Sequence, residues 1–279
     1  MSKSKVSIII RTCGRPNVLK HALDSIRNQS YSNIETIVVE DGSNKSESYI
    51  KDNYNDLNIF YFYVKEKSGR CRTGNIGLEK SSGDYINFLD DDDILLPNHI
   101  EMLVDEIEKK HYLVAYSIAE EHQIKIKNIE TYDFIVKRKL IRYKQPYNKM
   151  LLFYMNYIPI QCIMFNRTLY EQYGGFDEKL NFLEDWDIWV RYSTKCDFLF
   201  LPFVTSIYYT PFRSKEKNKR DVEMKKAAST VIEKHKQYQI SLSVEQINND
   251  LDYLLNVYNK KGFVFYMQKV RNYLLYRDR

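Results

Sequence analysis

Between residues 6 and 93 one pattern repeats: a short unbroken apolar run, a stretch with helical spacing, then another apolar run. The runs fall at residues 6–10, 34–39, 59–64 and 85–89. Strands without polar alternation are buried on both faces, and strands separated by helices pair in parallel. The expected core is therefore an open, mostly parallel α/β sheet with helices on either side. Ligands of such sheets bind beyond the carboxyl ends of the strands. Three of the four runs end in suitable chemistry: Arg11-Thr12 after the first, Glu40-Asp41 after the second, and Asp90-Asp91-Asp92-Asp93 after the fourth.

The intervening segments read as helices. Pro16 sits near the start of one reaching about residue 29, with Val18, Ala22, Leu23 and Ile26 on one face. Residues 46–54 are expected to be helical. Residues 69–74 read as a glycine-bounded loop before a short helix ending near Lys80. A helix follows Pro97 to about Lys110. Residues 112–120 and 123–128 are expected as a pair of strands, and residues 131–157 as irregular. Residues 160–165 suit a strand, 168–173 a helix stopped by Gly174-Gly175, 184–194 another helix, and 198–209 an extended segment. The remainder reads as helices near 217–238, 243–258 and 263–276.

The four adjacent aspartates constrain chemistry most. At the end of a buried strand they repel one another unless a cation is near, and Asp90 and Asp92 point the same way on an extended chain. Hard oxygen ligands suit Mg²⁺ or Mn²⁺, with water and phosphate completing the shell. Asp93 also suits a cap for the helix that follows. Glu40-Asp41-Gly42-Ser43 suits recognition of a base or ribose, and equally an ordinary turn. Arg70 and Arg72, in a loop before a helix start, suit phosphate or a solvated surface. In the segment FLEDWDIWVR, Glu184, Asp185 and Asp187 surround Trp186. Helix capping accounts for them, and so does a general base whose pKa is raised by apolar packing.

Composition narrows the class. The 44% hydrophobic content of 279 residues allows a full core, and 24 Tyr with 14 Phe supply faces that stack on sugars and bases. The four cysteines are scattered and form no CxxC pair, as expected of reduced thiols. No apolar run reaches about 18 residues, so a soluble or peripheral protein on the cytoplasmic side is expected. From Pro211 onward there are 15 Lys and Arg against 8 Asp and Glu, whereas the first 210 residues hold 27 against 29. That basic tail suits either an anionic membrane surface or plain solvation. No nucleic-acid partner is expected.

Together, VSIIIRTCGRP, SIRNQSYSNIETIVVEDGS, GNIGLEKSSGDYINFLDDDDILLP and GGFDEKLNFLEDWDIWVR resemble the family-2 glycosyltransferases of GT-A fold, over about residues 5–212. The resemblance implies a Rossmann-like nucleotide-binding half and an acceptor-binding half, with a basic helical extension over residues 213–279. It implies one-step inverting transfer of a hexose from a UDP-sugar, with Mn²⁺ or Mg²⁺ as cofactor. Thr12 and Asp41 match nucleotide-binding positions, Asp41 facing uracil. Asp91 matches a ribose and metal carboxylate, Asp92 the principal metal ligand, and Asp90 the first member of the DxD pattern. Asp185 matches the catalytic base of an ED pair, with Glu184 its neighbour. Arg15, Arg70, Arg72 and Asn75 are expected around the donor, and Arg213 near the diphosphate.

Three departures stand out. Glu40 replaces the usual Asp. Thr73-Gly74-Asn75 lacks the usual arginine, for which Arg70 or Arg72 would substitute. The histidine common after the YR segment is absent. By analogy, residues 144–160 and the tail would bracket a saccharide acceptor on an undecaprenyl diphosphate, as in bacterial O-antigen or capsule synthesis. A nucleotidyltransferase would need a GxGxR-type loop, and RTCGRP has one glycine. A glycan-binding protein without activity would not need both Asp92 and Asp185.

Overall fold

In the computed structural model, residues 3–212 and 215–259 are described. They form a nine-stranded sheet. The first half alternates as expected: β1 (Val6–Thr12), α1 (Pro16–Arg27), β2 (Ile34–Asp41), α2 (Ser46–Asn53), β3 (Ile59–Val64), α3 (Arg70–Lys80) and β4 (Tyr85–Asp90). β3, β2, β1 and β4 lie side by side in that order and all run parallel. Each strand feeds both faces. Ile9, Ile37, Val39, Ile86 and Phe88 enter one core cluster, while Ile8, Ile10, Val38 and Leu89 enter the other. α1 covers the second face with Leu19, Ala22, Leu23 and Ile26, each large side chain contributing about 1.5–3 kcal/mol on burial. Because the strands are parallel and in register, Arg11 lies beside Asp90 and Thr12 beside Glu40.

The second half follows a short β5 (Ile94–Leu95) and α4 (His99–Lys110). It comprises β6 (Val114–Asn128), β7 (Asp133–Leu140), α5 (Lys149–Tyr154), β8 (Ile163–Asn166), α6 (Arg167–Tyr173), α7 (Glu184–Ser193) and β9 (Leu199–Pro211). β8 is antiparallel to both β4 and β6, and β9 runs parallel to β6. α8 (Lys215–His235) and α9 (Val244–Asn259) complete the described chain. The expected helix near 263–276 lies outside the described residues.

Three expectations are corrected. Residues 114–128 form one continuous strand rather than two. Glu121 and His122 read as a break, but Glu121 is buried and accepts hydrogen bonds from Arg142 (3.1 Å) and Thr210 (2.6 Å), so its polarity is satisfied within the sheet. Residues 131–157 are not irregular throughout. β7 is an edge strand whose outward Lys137, Arg138 and Lys139 hide the alternation of a strand. The glycine-bounded loop shortens, because α3 begins at Arg70. Gly69 before it has φ 87°, and Gly74 sits inside the helix, where an added Cβ would lie 2.6 Å from the Phe176 ring.

α8 is joined to the body at its C-terminal end. Val231 and His235 are buried. Lys234 donates to Asp187 (2.9 Å) and Asp177 (2.7 Å), and the His235 ring meets Trp186 edge-on at 5.3 Å. Asp187 itself is fully buried and also pairs with Arg191. Burial pushes its carboxyl up, but His235, Lys234 and Arg191 outweigh that and bring it down to about 2.

Candidate active site

β1 and β4 end side by side, and Arg11 joins them. Its guanidinium donates to Asp90 Oδ1 at 2.9 and 2.6 Å, and to Glu184 Oε1 at the start of α7 at 3.0 Å. The side chain is only 6% exposed and lies against the rings of Phe88 and Phe176. A buried cation is tolerable only with counterions and hydrogen bonds. Here Asp90 and Glu184 outweigh burial and keep the guanidinium protonated. Gly74 supports the arrangement, since only a residue without Cβ lets Phe176 come so close. Arg11 therefore ties the aspartate cluster of one half to α7 of the other. The sequence marked it only as a strand end, because its partners lie 79 and 173 positions away.

The aspartate run divides its labour. Asp91 is buried and turned toward Thr12 (2.6 Å) and Arg15 (3.2 Å). Burial, with Asp92 beside it, pushes Asp91 up to about 6 despite Arg15. Asp93 is raised well above the usual range by burial and by Asp92 and Asp90, and accepts from the backbone of Tyr209 at 3.3 Å. Asp90 and Asp92 face the cleft. Burial would raise Asp90, but Arg11 and Arg70 hold it below the usual range, and both Arg11 hydrogen bonds fall on the same oxygen. Among the described residues no cluster of three or more potential ligands is assembled. Two carboxylates facing the cleft fit a divalent cation that takes the rest of its shell from phosphate and water.

The opposite wall begins at α7. Leu183, with φ 59°, turns the chain into the helix. Glu184 is buried and takes Arg11 and, at 3.7 Å, Arg70. Asp185 is half-buried and lines the cleft. One of its oxygens accepts from the Trp186 backbone (2.8 Å), and the other from Asn156 Nδ2 (2.9 Å). Burial and the adjacent Glu184 push Asp185 up to about 7, against those hydrogen bonds and Arg11. The Trp186 indole donates to Leu152 O at 2.6 Å and fixes α7 against α5. Asn156 was not singled out in the sequence, since nothing in its neighbourhood points to position 185.

Asp185, Asp90 and Asp92 share one cleft of about 890 Å³. Arg70, Gln161 and Met224 also line it. Its far wall carries Arg142, Tyr143, Tyr208 and Phe182. Other expected donor residues are engaged elsewhere. Asp41 accepts from Ser68 (2.7 and 3.1 Å) and Gly69 (2.9 Å), bracing the turn into α3 and retaining acceptor capacity for about one more donor. Arg72 pairs with Glu178, and Asn75 exchanges hydrogen bonds with the Phe176 backbone, so both clamp the loop after Gly174 and are not among the cleft-lining residues. Arg213 lies outside the described residues.

Residues 7–174 match the family described as Glycosyl transferase family 2. The chain is 33% identical over 204 residues to the uncharacterized glycosyltransferase YwdF of Bacillus subtilis, covering 73% of this chain and 74% of that protein. It is 30% identical over 193 residues to an uncharacterized glycosyltransferase of Rickettsia typhi, covering 67% of this chain and 58% of that one. S. aureus TarS 1-349 in complex with UDP-GlcNAc is similar in structure, with a TM-score of 0.66 at 14% identity, covering 93% of this chain and 75% of TarS 1-349. So is the mannosyltransferase PcManGT of Pyrobaculum calidifontis in complex with GDP-Man and Mn²⁺, at 0.65 and 14%, covering 94% and 72%. The parallel sheet with carboxylates at its strand ends and the family match over residues 7–174 lead to one conclusion: the chain belongs to glycosyl transferase family 2 and has the GT-A fold.

Proposed function

We propose that this chain transfers a hexose, glucose or galactose or an N-acetyl form, from a UDP-sugar to a saccharide acceptor with inversion. One observation carries the reading: a half-buried carboxylate with a pKa near 7, Asp185, opens into the same cleft as Asp90 and Asp92. Asp92 and Asp90 would hold Mn²⁺ or Mg²⁺, whose charge would offset that of the diphosphate leaving group. Arg70 faces the same space, and Arg213 is assigned to the diphosphate as well. Thr12, Arg15 and Asp91 form the floor on which the nucleoside sits, and Asp41 offers its remaining lone pair to the uracil imide.

Asp185 then accepts the proton of an acceptor hydroxyl as that oxygen bonds to the anomeric carbon. The carbon–oxygen bond to the diphosphate breaks on the opposite face. Asn156 and the Trp186 amide fix the carboxylate through both oxygens, so little reorganisation is needed when the proton arrives. Glu184 is a positioning residue in this scheme, since its carboxylate is spent on Arg11 and Arg70.

The acceptor end meets Tyr143, Tyr208 and Phe182, aromatic surfaces suited to sugar faces. Residues 156 and 158–161 line the same cleft, consistent with a lipid-linked saccharide on undecaprenyl diphosphate entering there during surface polysaccharide synthesis. No helix among the described residues is long and apolar enough to cross a membrane, so such an acceptor would be met peripherally, at the cytoplasmic face. The binding of UDP-GlcNAc by TarS supports a UDP donor, and the Mn²⁺ complex of PcManGT supports the metal. The test is a screen of UDP-glucose, UDP-galactose and their N-acetyl forms for UDP release. It would be run with Mn²⁺, Mg²⁺ or EDTA, with and without a lipid-diphosphate acceptor. Metal-dependent release from one donor, stimulated by acceptor, is expected. No release by folded protein would remove the reading.

A further inference from the structure

The distal half of β6 and the whole of β7 form a two-stranded hairpin that lies along the start of α1, where Asn17 donates to Glu130 O and Tyr132 packs on Val18 and His21, and its exposed face is not used by the proposed chemistry. Lys125, Lys127, Lys137, Arg138 and Lys139 are all exposed there, and among the described residues none has an ion-pair partner. Glu130 and Asp133 are the opposing charges of the same segment. Interleaved with the cations are exposed apolar side chains: Ile126 at 42%, Val136 at 40% and Ile141 at 43%. At the turn, Ile129 is 82% exposed. The turn is ordered, because Asn128 Oδ1 accepts from the backbone of Glu130 (2.8 Å) and Thr131 (3.3 Å).

Lysines on an edge strand discourage pairing with other strands, and that alone would explain β7's charge. It does not explain an isoleucine held at the tip of an ordered turn. Apolar tips beside unpaired cations are the pairing that an anionic lipid surface satisfies, through insertion and headgroup attraction together. We propose that the β6–β7 hairpin is a docking arm that rests on an anionic phospholipid bilayer.

Position supports the choice. The hairpin grows directly from the cleft wall, since Glu121 and Thr210 belong to β6 and β9 at its root. From Glu121 to Asn128 the strand advances about 23 Å at roughly 3.3 Å per residue. The arm is therefore continuous with the strand segment that lines the cleft opposite Asp185, through Glu121 at its root. The basic tail is a poorer choice at the end of α8, where Lys234 and His235 turn inward to Asp187. The proposal deepens the lipid-linked-acceptor reading by naming the element that meets the membrane, and vesicle binding is measured without any sugar transfer.

The test is co-sedimentation of the full chain with vesicles of phosphatidylglycerol and phosphatidylcholine, against phosphatidylcholine alone. Binding to the anionic vesicles only, weakening as salt rises, is expected. Each surface cation contributes about fivefold in partitioning, so Lys137→Gln, Arg138→Gln and Lys139→Gln together lower binding on the order of a hundredfold. Ile129→Asp lowers it by at least about tenfold. Circular dichroism and slow hydrolysis of UDP-sugar, read on the same variants, separate loss of docking from loss of fold. Wild-type protein that ignores anionic vesicles overturns the proposal. So does undiminished binding by the folded variants, which would move the attachment to the C-terminal segment.

Discussion

The two acidic runs of the cleft, Asp90–Asp93 and Glu184–Asp187, solve one problem in two ways. In the first, the strand ends at Asp90 and the chain turns, with Asp93 N–H donating to Asp90 O at 3.0 Å, so that Asp91 goes inward to Thr12 and Arg15 while Asp90, Asp92 and Asp93 line the cleft. In the second, a helix start spreads the carboxylates around an axis. Glu184 goes to Arg11, Asp187 goes to Lys234 and Arg191, and Asp185 is left facing the cleft. The buried carboxylates Asp91, Glu184 and Asp187 are anchored to cations, buried Asp93 accepts from the Tyr209 amide, and Asp92 and Asp185 are left half-exposed at the cleft. Arg11 touches both runs, so the anchors are not independent.

The sharpest way to break that division is to neutralise the half-exposed member. Asp185→Asn is expected to lower kcat by about 10²–10⁴-fold while donor affinity stays near wild type. Titration of donor binding beside turnover checks this, and affinity falling in step with turnover would move Asp185 out of the base role. The pH profile sharpens the same point. Because burial and Glu184 raise Asp185 to about 7, the proton must leave before it can serve as base. The kcat/KM is therefore expected to fall about tenfold per unit as pH drops below about 7, and residual Asp185→Asn activity to lack that limb.

An anchor should behave differently. Arg11→Met leaves buried Glu184 and half-buried Asp90 with Arg70 as their remaining cation, and is expected to cost about 3–5 kcal/mol of stability in denaturant titration. Stability unchanged by that substitution would mean the two carboxylates find other partners. Lys234→Met is a milder test, because Asp187 keeps Arg191. A loss of about 1–3 kcal/mol is expected, with donor affinity intact. At the small end, Gly74→Ala pushes a methyl into the Phe176 ring and is expected to cost about 1–3 kcal/mol, read as a lowered Tm.

The β1–β4 sheet and its three loaded strand ends were legible because parallel strands covered on both faces are apolar throughout, a signal contained within each segment. Asp90 and Asp92 were paired in the sequence by the period of an extended chain, but the strand ends at Asp90 and it is a turn that brings both to the cleft. What stayed hidden depends on distant partners. Arg11 is an unremarked strand residue until Phe176 and Glu184 arrive from the second half. Asn156 reaches position 185 only through the packing of α5 on α7. β6 continues through Glu121 because Arg142 and Thr210 supply what solvent would otherwise supply. Asp41 reads as a free carboxylate, and only the folded turn shows Ser68 and Gly69 upon it.

The docking of α8 has a practical corollary for where this protein can be cut. The family match ends at residue 174, ten positions before Glu184. A fragment trimmed to that match would carry Asp90 and Asp92 without Asp185. One trimmed at residue 212 would keep Asp185 but strip Lys234 and His235 from Asp187, and would lay the Trp186 ring open along the helix that presents Asp185. A fragment that keeps these contacts runs at least through Tyr238, whose ring lies tilted 6.0 Å from that of His235. The part of the chain that kinship recognises is shorter than the part that encloses the cleft, whose lining reaches Met224.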